Sequence, residues 1–95
     1  MTARAEITLE IGDQEFDFDI DVALVTKYIN GLTQANKVAP SYNLLMNTVK
    51  QEQKARLKPL LVHPTTTMEI AGALVEEFQP KVEVTVKKRS NTQSD

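Results

Sequence analysis

The sequence predicts a small α+β domain, in which an N-terminal β-hairpin and a C-terminal strand form a small sheet with one face packed by three or four helices. Three observations predict this class. Apolar and polar residues alternate in residues 5–11, 15–20 and 81–87, as in half-buried strands. Between the second and third of these segments, apolar residues recur at helical spacing. The chain has 95 residues, the size of one domain. We expect that domain over residues 1–89 and a disordered polar tail over residues 90–95.

The composition narrows the class of protein. Apolar residues make up 41% of the chain, but aromatic residues only 5%, so the core must be mainly aliphatic. The chain has no Cys, which excludes disulfides, thiolate nucleophiles and Cys-based zinc sites, and favours a reducing cytoplasm. No apolar run approaches the ~18 residues of a membrane span, and the N-terminus has no apolar signal core.

The first two strand segments form a hairpin around a two-residue loop. Gly12 and Asp13 make that loop, with Gly at the first central position, as a type II′ turn needs. The loop fixes the register, and the register places the apolar residues of both strands on one side. The expected cross-strand pairs are Leu9 with Phe16, Ile7 with Phe18, and Ala5 with Ile20.

The other face of the hairpin is acidic. Residues 1–21 contain seven acids and one base, for a net charge of −6, whereas the whole chain carries −2. Like charges on paired strands are destabilising, so cations from elsewhere should lie on this face, or a basic partner should bind it. We expect Lys81 and Lys87 of the C-terminal strand to supply them. The acids are Glu6, Glu10, Glu15, Asp17 and Asp19.

Helices are expected between the hairpin and the last strand. The first begins at the N-cap Asp21, ends near Gly31 and buries one apolar face. Its apolar positions are Leu24, Val25, Tyr28, Ile29 and Leu32.

A loop over residues 33–40 precedes a second helix, which Ser41 is expected to cap. The core face of that helix holds Tyr42, Leu45, Met46 and Val49, and Leu44 widens it. Pro59 should kink or end a helical segment that follows.

The last helix is expected to begin at a capping box, with Thr66 as N-cap and Glu69 three residues later. Gly72 within it indicates close packing against a neighbouring element, since Gly otherwise only weakens a helix. Pro80 should end this helix.

Catalytic signatures are missing from the sequence. The one His, His63, has no evident nucleophile or carboxylate partner, and no phosphate-binding glycine motif occurs. We therefore expect a non-enzymatic protein without metal or cofactor, which acts by binding another protein. Lys87, Lys88 and Arg89 leave open a small nucleic-acid-binding regulator, although an acidic chain without interleaved aromatic residues makes a poor nucleic-acid binder.

Several stretches resemble one known family over residues 5–88. They are NKVAPSYNLLM at 36–46, VK at 49–50, IAGALVEEF at 70–78 and VEVTVKK at 82–88. The chain resembles the small tail assembly chaperones of long-tailed bacteriophages and prophages. The resemblance implies a protein of the host bacterial cytoplasm that binds the tape-measure protein during tail morphogenesis. It also implies contact with the tail tube protein and self-association as further possibilities. A different phage structural or adaptor module is the alternative.

The expected partner-binding surface combines the loop at residues 33–39 with the exposed side of the second helix. An apolar groove there could hold a client helix. The candidate residues are Asn36, Lys37, Val38, Leu44, Leu45 and Asn47.

Overall fold

A hairpin with helices packed on one face forms the domain in the computed structural model, which describes residues 4–79, 86 and 87. This arrangement confirms the predicted α+β class. Two 3₁₀ turns, Gln51–Gln53 and Lys58–Leu61, flank the shortest helix. The strands and helices are β1 (Arg4–Ile11), β2 (Gln14–Asp21), α1 (Val22–Gly31), α2 (Val38–Thr48), α3 (Lys54–Leu57) and α4 (Pro64–Phe78).

The hairpin has the predicted loop and register. Gly12 has φ +66°, and no other described residue has a positive φ, which fits a type II′ turn at Gly12 and Asp13. Leu9 pairs with Phe16, Ile7 with Phe18, and Ala5 with Ile20. Phe16, Phe18 and Ile20 are fully buried because this side of the hairpin faces the helices.

The outer edge of β2 is closed by the chain that follows α2. Val49 forms an antiparallel bridge with Phe18, and the Lys50 N–H donates to the Asp17 carbonyl at 2.9 Å. The Gln53 side chain accepts the Asp17 N–H at 2.7 Å. Residues 49–53 therefore satisfy edge groups that a third strand would otherwise pair.

The predicted C-terminal strand at residues 81–87 lies outside the described residues, except for Val86 and Lys87. Both are exposed and belong to neither helix nor strand. The sheet formed by the described residues has two strands, β1 and β2. The predicted polar tail and the role of Pro80 also lie outside them.

The start of α1 agrees with the prediction. The Leu24 N–H donates to the Asp21 carboxylate at 2.8 Å, so Asp21 caps the helix. Val25 is buried as expected, but Ile29 is 50% exposed. The buried arc of α1 is thus narrower than the apolar pattern indicates.

The predicted start of α2 at Ser41 is wrong. The helix begins at Val38, and Ser41 lies within it with its hydroxyl donating to the Lys37 carbonyl at 2.7 Å. Pro40 is compatible with this earlier start because N–H groups of the first turn have no partner within the helix.

The predicted capping box of α4 is also wrong. Pro64 is the first helical residue, a position that suits proline, and His63 precedes it without a side-chain cap. Thr67, rather than Thr66, has the structural role at this end. Its buried hydroxyl donates to the Leu61 carbonyl at 3.0 Å and lies 3.2 Å from the His63 carbonyl.

The core lies where α2 and α4 cross the apolar side of the hairpin. The short α3 and the 3₁₀ turn after it add Leu57 and Leu61, and Pro59 lies in that turn, where the helix ends as predicted. The largest fully buried apolar side chains are Phe16, Phe18, Ile20, Leu45, Leu57 and Leu74.

The close packing predicted at Gly72 is not found. Apart from the neighbouring backbone of α4, no atom lies within 4 Å of a Cβ placed there, and the residue is exposed.

Gly72→Ala is therefore expected to raise the free energy of unfolding by about 0.5–1 kcal/mol, measured by urea denaturation. Gly12→Ala is the opposing control, because its positive φ should make Ala destabilising by about 1–2 kcal/mol. A destabilising Gly72→Ala would contradict the open surroundings of this glycine.

Candidate functional site

A groove of about 220 Å³ lies between α1 and α2. Lys27 and Tyr28 contribute to its α1 wall, and Asn43 and Asn47 to its α2 wall. Residues 27 and 28 lie one helical turn from Leu24 and Gly31, and residues 43 and 47 lie one turn apart, so each wall is one face of a helix. We call this feature the α1–α2 groove.

Its bottom is apolar and tightly packed. Leu44 lines the groove while remaining only 3% exposed. Gly31 lets the two helices approach, because a Cβ there would lie 3.3 Å from Cγ of Pro40. A Cβ at position 31 would require the proline ring to move by a few tenths of an ångström.

The loop between the helices places Asn36 at the rim of the groove. The Asn36 N–H donates to the Thr33 hydroxyl at 2.9 Å, and the Thr33 N–H donates to the Asn36 carbonyl at 3.1 Å. These reciprocal bonds make a closed turn in which the hydroxyl of Thr33 acts as a local cap. The Asn36 side chain is left exposed, and it lines the groove.

The structure brings together only part of the set of candidate residues. Asn36, Leu44 and Asn47 line the groove. Lys37 and Val38 are exposed at the start of α2 but outside the lining. Leu45 is fully buried and faces the core, so it offers no surface to a partner.

The α1 wall was absent from the candidate set. Three residues of this wall lie at positions i, i+4 and i+7 of one helix face, and this spacing is visible in the sequence. They are Leu24, Tyr28 and Gly31. Tyr28 is half-buried, with a ring that packs against the core and a hydroxyl available as donor or acceptor. The pattern alone could not show that this edge of the helix stays open beside α2.

The chemistry of the groove suits binding. Asn36 at its rim and Asn43 and Asn47 on its α2 wall carry amide side chains, and Lys27 is the only charged residue among the described residues that line it. Amides both donate and accept hydrogen bonds, and the apolar bottom can take aliphatic side chains. Among the described residues, no group of three or more His, Cys, Asp or Glu side chains is placed to hold a metal ion.

The acidic face of the hairpin forms a second polar surface. Arg4 forms an ion pair with Asp19, and Lys50 Nζ lies 3.7 Å from Asp17 and 3.9 Å from Glu6. Cations therefore reach this face from β1 itself and from the chain after α2. The sequence prediction assigned that role to the C-terminal strand, and Lys87 is exposed at the position described.

Asp17 is the best-connected carboxylate of this face. The Thr8 hydroxyl donates to it at 2.6 Å and the Gln53 amide at 3.2 Å. These two hydrogen bonds lower the pKa of Asp17 from its ordinary value of 3.8, and the bond from Thr8 has the largest effect. The positive charge of Lys50 lowers the pKa further.

Asp17→Asn is expected to lower the free energy of unfolding at pH 7. A carboxylate whose pKa is lowered by folding stabilises the fold above its unfolded pKa, and this stabilisation is lost as the pH falls through the folded pKa. The difference between wild type and variant should therefore shrink as the pH falls below about 3.8. Urea denaturation of both proteins at pH 7 and pH 3 measures it, and an equal difference at both pH values would contradict the assignment.

The described residues contain no helix with the length and apolar character needed to cross a membrane. No solved structure matches the chain.

Comparisons with known proteins identify the family. The family model of the phage tail assembly chaperones matches residues 7–88. An uncharacterized 11.3 kDa protein from the lys 3′ region of Haemophilus phage HP1 (strain HP1c1) is 32% identical over 84 residues, which are 88% of this chain and 82% of the relative. The matched region includes most of the hairpin, both walls of the α1–α2 groove and the whole of α4. The chain belongs to the phage tail assembly chaperone family.

Proposed function

We propose that this chain binds the tape-measure protein during tail assembly, without catalysis, in the cytoplasm of the host bacterium. The observation that carries the proposal is the α1–α2 groove, which has an apolar bottom and amide-bearing walls in a member of a tail assembly chaperone family. Such a groove can shield apolar side chains of a client while its rim stays in water.

A helical segment of the client suits this groove. An amphipathic helix presents apolar side chains at i, i+3 or i+4, and i+7, and lays them into a groove between two helices. Leu24 and Pro40, which are half-buried, offer an aliphatic surface for these side chains, and the buried Leu44 lies beneath it. Lys27 favours an acidic residue beside the apolar stripe.

The amides on the walls favour reversible binding. Asn36, Asn43 and Asn47 are exposed and can exchange hydrogen bonds with water for hydrogen bonds with the client. Such exchange has a small net free energy, so the complex can dissociate when tube subunits compete for the client.

The test is co-expression of the full chain with the tape-measure protein of the same phage, followed by affinity purification and size-exclusion chromatography with light scattering. We expect a soluble complex that contains both proteins, and a client that is insoluble when expressed alone. Addition of tail tube protein should then release the chain. A tape-measure protein that never co-purifies would overturn the proposal and favour a structural or adaptor role.

A further inference from the structure

The outer edge of β1 presents backbone groups to which no described residue is paired. Thr8 lies opposite Asp17, and Asp17 directs its own N–H and carbonyl away from β1, to Gln53 and Lys50. Directly opposed residues of this kind are a non-hydrogen-bonded pair, so the N–H and carbonyl of Thr8 point away from β2 as well. Glu6 and Glu10 each lie two residues from Thr8, so their N–H and carbonyl groups also point away from β2. This edge of β1 therefore presents a row of donors and acceptors that no described residue pairs.

An apolar groove runs beside this edge. It has a volume of about 290 Å³ and lies between the end of β1 and the first half of α4. Leu9, Ile11, Ile70 and Ala73 contribute its apolar surface, and Glu69 and Glu10 its charge. A strand edge beside a groove and a helix is an arrangement that accepts an added strand, whose backbone pairs with the edge and whose alternate side chains enter the groove.

The chain itself contains a segment with the alternation of a strand and the matching chemistry. In residues 81–87, Val82, Val84 and Val86 alternate with polar residues. Residues 81–89 hold four bases and one acid, for a net charge of +3, whereas residues 4–21 carry −6. An added strand would thus place valines toward the groove and lysines near Glu6 and Glu10.

We propose that the β1 edge binds residues 81–87 of a second copy of this chain. Within one copy, Val86 is 83% exposed, and neither it nor Lys87 is in a strand. A second copy can supply the strand to the open edge, and reciprocal exchange between two copies closes a symmetric dimer. This inference concerns self-association and does not depend on the client of the α1–α2 groove.

The first test is size-exclusion chromatography with light scattering on the full chain and three variants. Wild type should have twice the chain mass. Thr8→Pro should shift it to the monomer mass, because proline removes the outward N–H without removing a bond to β2. Thr8→Val keeps that N–H and should remain a dimer. Val84→Pro blocks the donated strand, lies outside the described fold and should also give a monomer.

Circular dichroism of each variant is the control that its helices are intact. A monomeric wild type, or a Thr8→Pro variant that is folded and still dimeric, would overturn the proposal. The same holds if Val84→Pro leaves the mass unchanged.

Cross-linking separates pairing between copies from pairing within one copy. The chain has no Cys, so Thr8→Cys and Thr85→Cys can be introduced without background reaction. Mixed single variants treated with a short bismaleimide should yield a cross-linked dimer on denaturing gels. The double variant should also cross-link mainly as a dimer. A cross-linked monomer of the double variant, with no dimer from the mixture, would assign the strand to its own chain and overturn the proposal.

Discussion

Replacing Phe18 with Ala is expected to lower the free energy of unfolding by about 3–5 kcal/mol. Phe18 is fully buried, pairs with Ile7 across the hairpin and forms a bridge with Val49 on its other side. Its ring therefore lies where the hairpin, the chain after α2 and the core meet, and its loss leaves a cavity that the backbone cannot easily close. A domain of this length has about 5–14 kcal/mol of stability in total, so the variant should unfold at a much lower urea concentration.

The matched control is Ile29→Ala. Ile29 is also a large apolar residue, but it is 50% exposed on α1, and Ala is a better helix former. We expect a change within about 0.5 kcal/mol. Urea denaturation followed by circular dichroism measures both variants against wild type. If both variants lost similar amounts, the core would not be centred on the hairpin side that contains Phe18.

The hairpin could be predicted in detail because two independent constraints agree there. A two-residue loop at Gly12 and Asp13 fixes which residues pair, and the alternation of apolar residues fixes which side is buried. Only one register satisfies both, and the structure has that register. Asp21 could be predicted as a cap for a similar reason, since a strand ends where a helix with a clear apolar face begins.

The starts of α2 and α4 could not be predicted so well. Both helices begin with a proline in their first turn, Pro40 in α2 and Pro64 in α4, ahead of the Ser or Thr that sequence reasoning chose as a cap. Proline is as acceptable in a first turn as a hydroxyl residue is at a cap. Local preference therefore allows both starts. In α4, the buried bonds of Thr67 to Leu61 and His63 favour the earlier one.

Three of the six candidate residues, Asn36, Leu44 and Asn47, line the α1–α2 groove, and the way α2 packs against several elements explains why the others do not. If α2 buried only one narrow face, Leu44 would lie beside that face and would be exposed to a partner. In the structure α2 contacts α1 on one side and α4 and β2 on others, so its apolar arc is wide. Leu45 lies in the core, and Leu44 becomes the buried bottom of a groove whose second wall comes from α1. Long-range packing of this kind is not encoded in the periodicity of one helix.

The burial of Leu44 decides which substitution can test the groove. Leu44→Asp would place a carboxylate at a position that is 3% exposed, so any loss of client binding would follow from unfolding. Ala39 is a better position, because it lines the groove, is exposed and lies in the first turn of α2.

Ala39→Trp is therefore expected to abolish co-purification of the tape-measure protein while leaving the fold intact. The indole fills the space that a client side chain would occupy, and the affinity should fall at least tenfold, which corresponds to about 1.4 kcal/mol. Ala23→Trp is the matched control, because Ala23 is equally an exposed helical Ala but lies outside the groove lining. Titration of each purified variant against a soluble client fragment measures the affinity. Equal binding by the two variants would exclude the α1–α2 groove as the client site, whereas loss in Ala39→Trp alone would place the client helix between Tyr28 and Asn43.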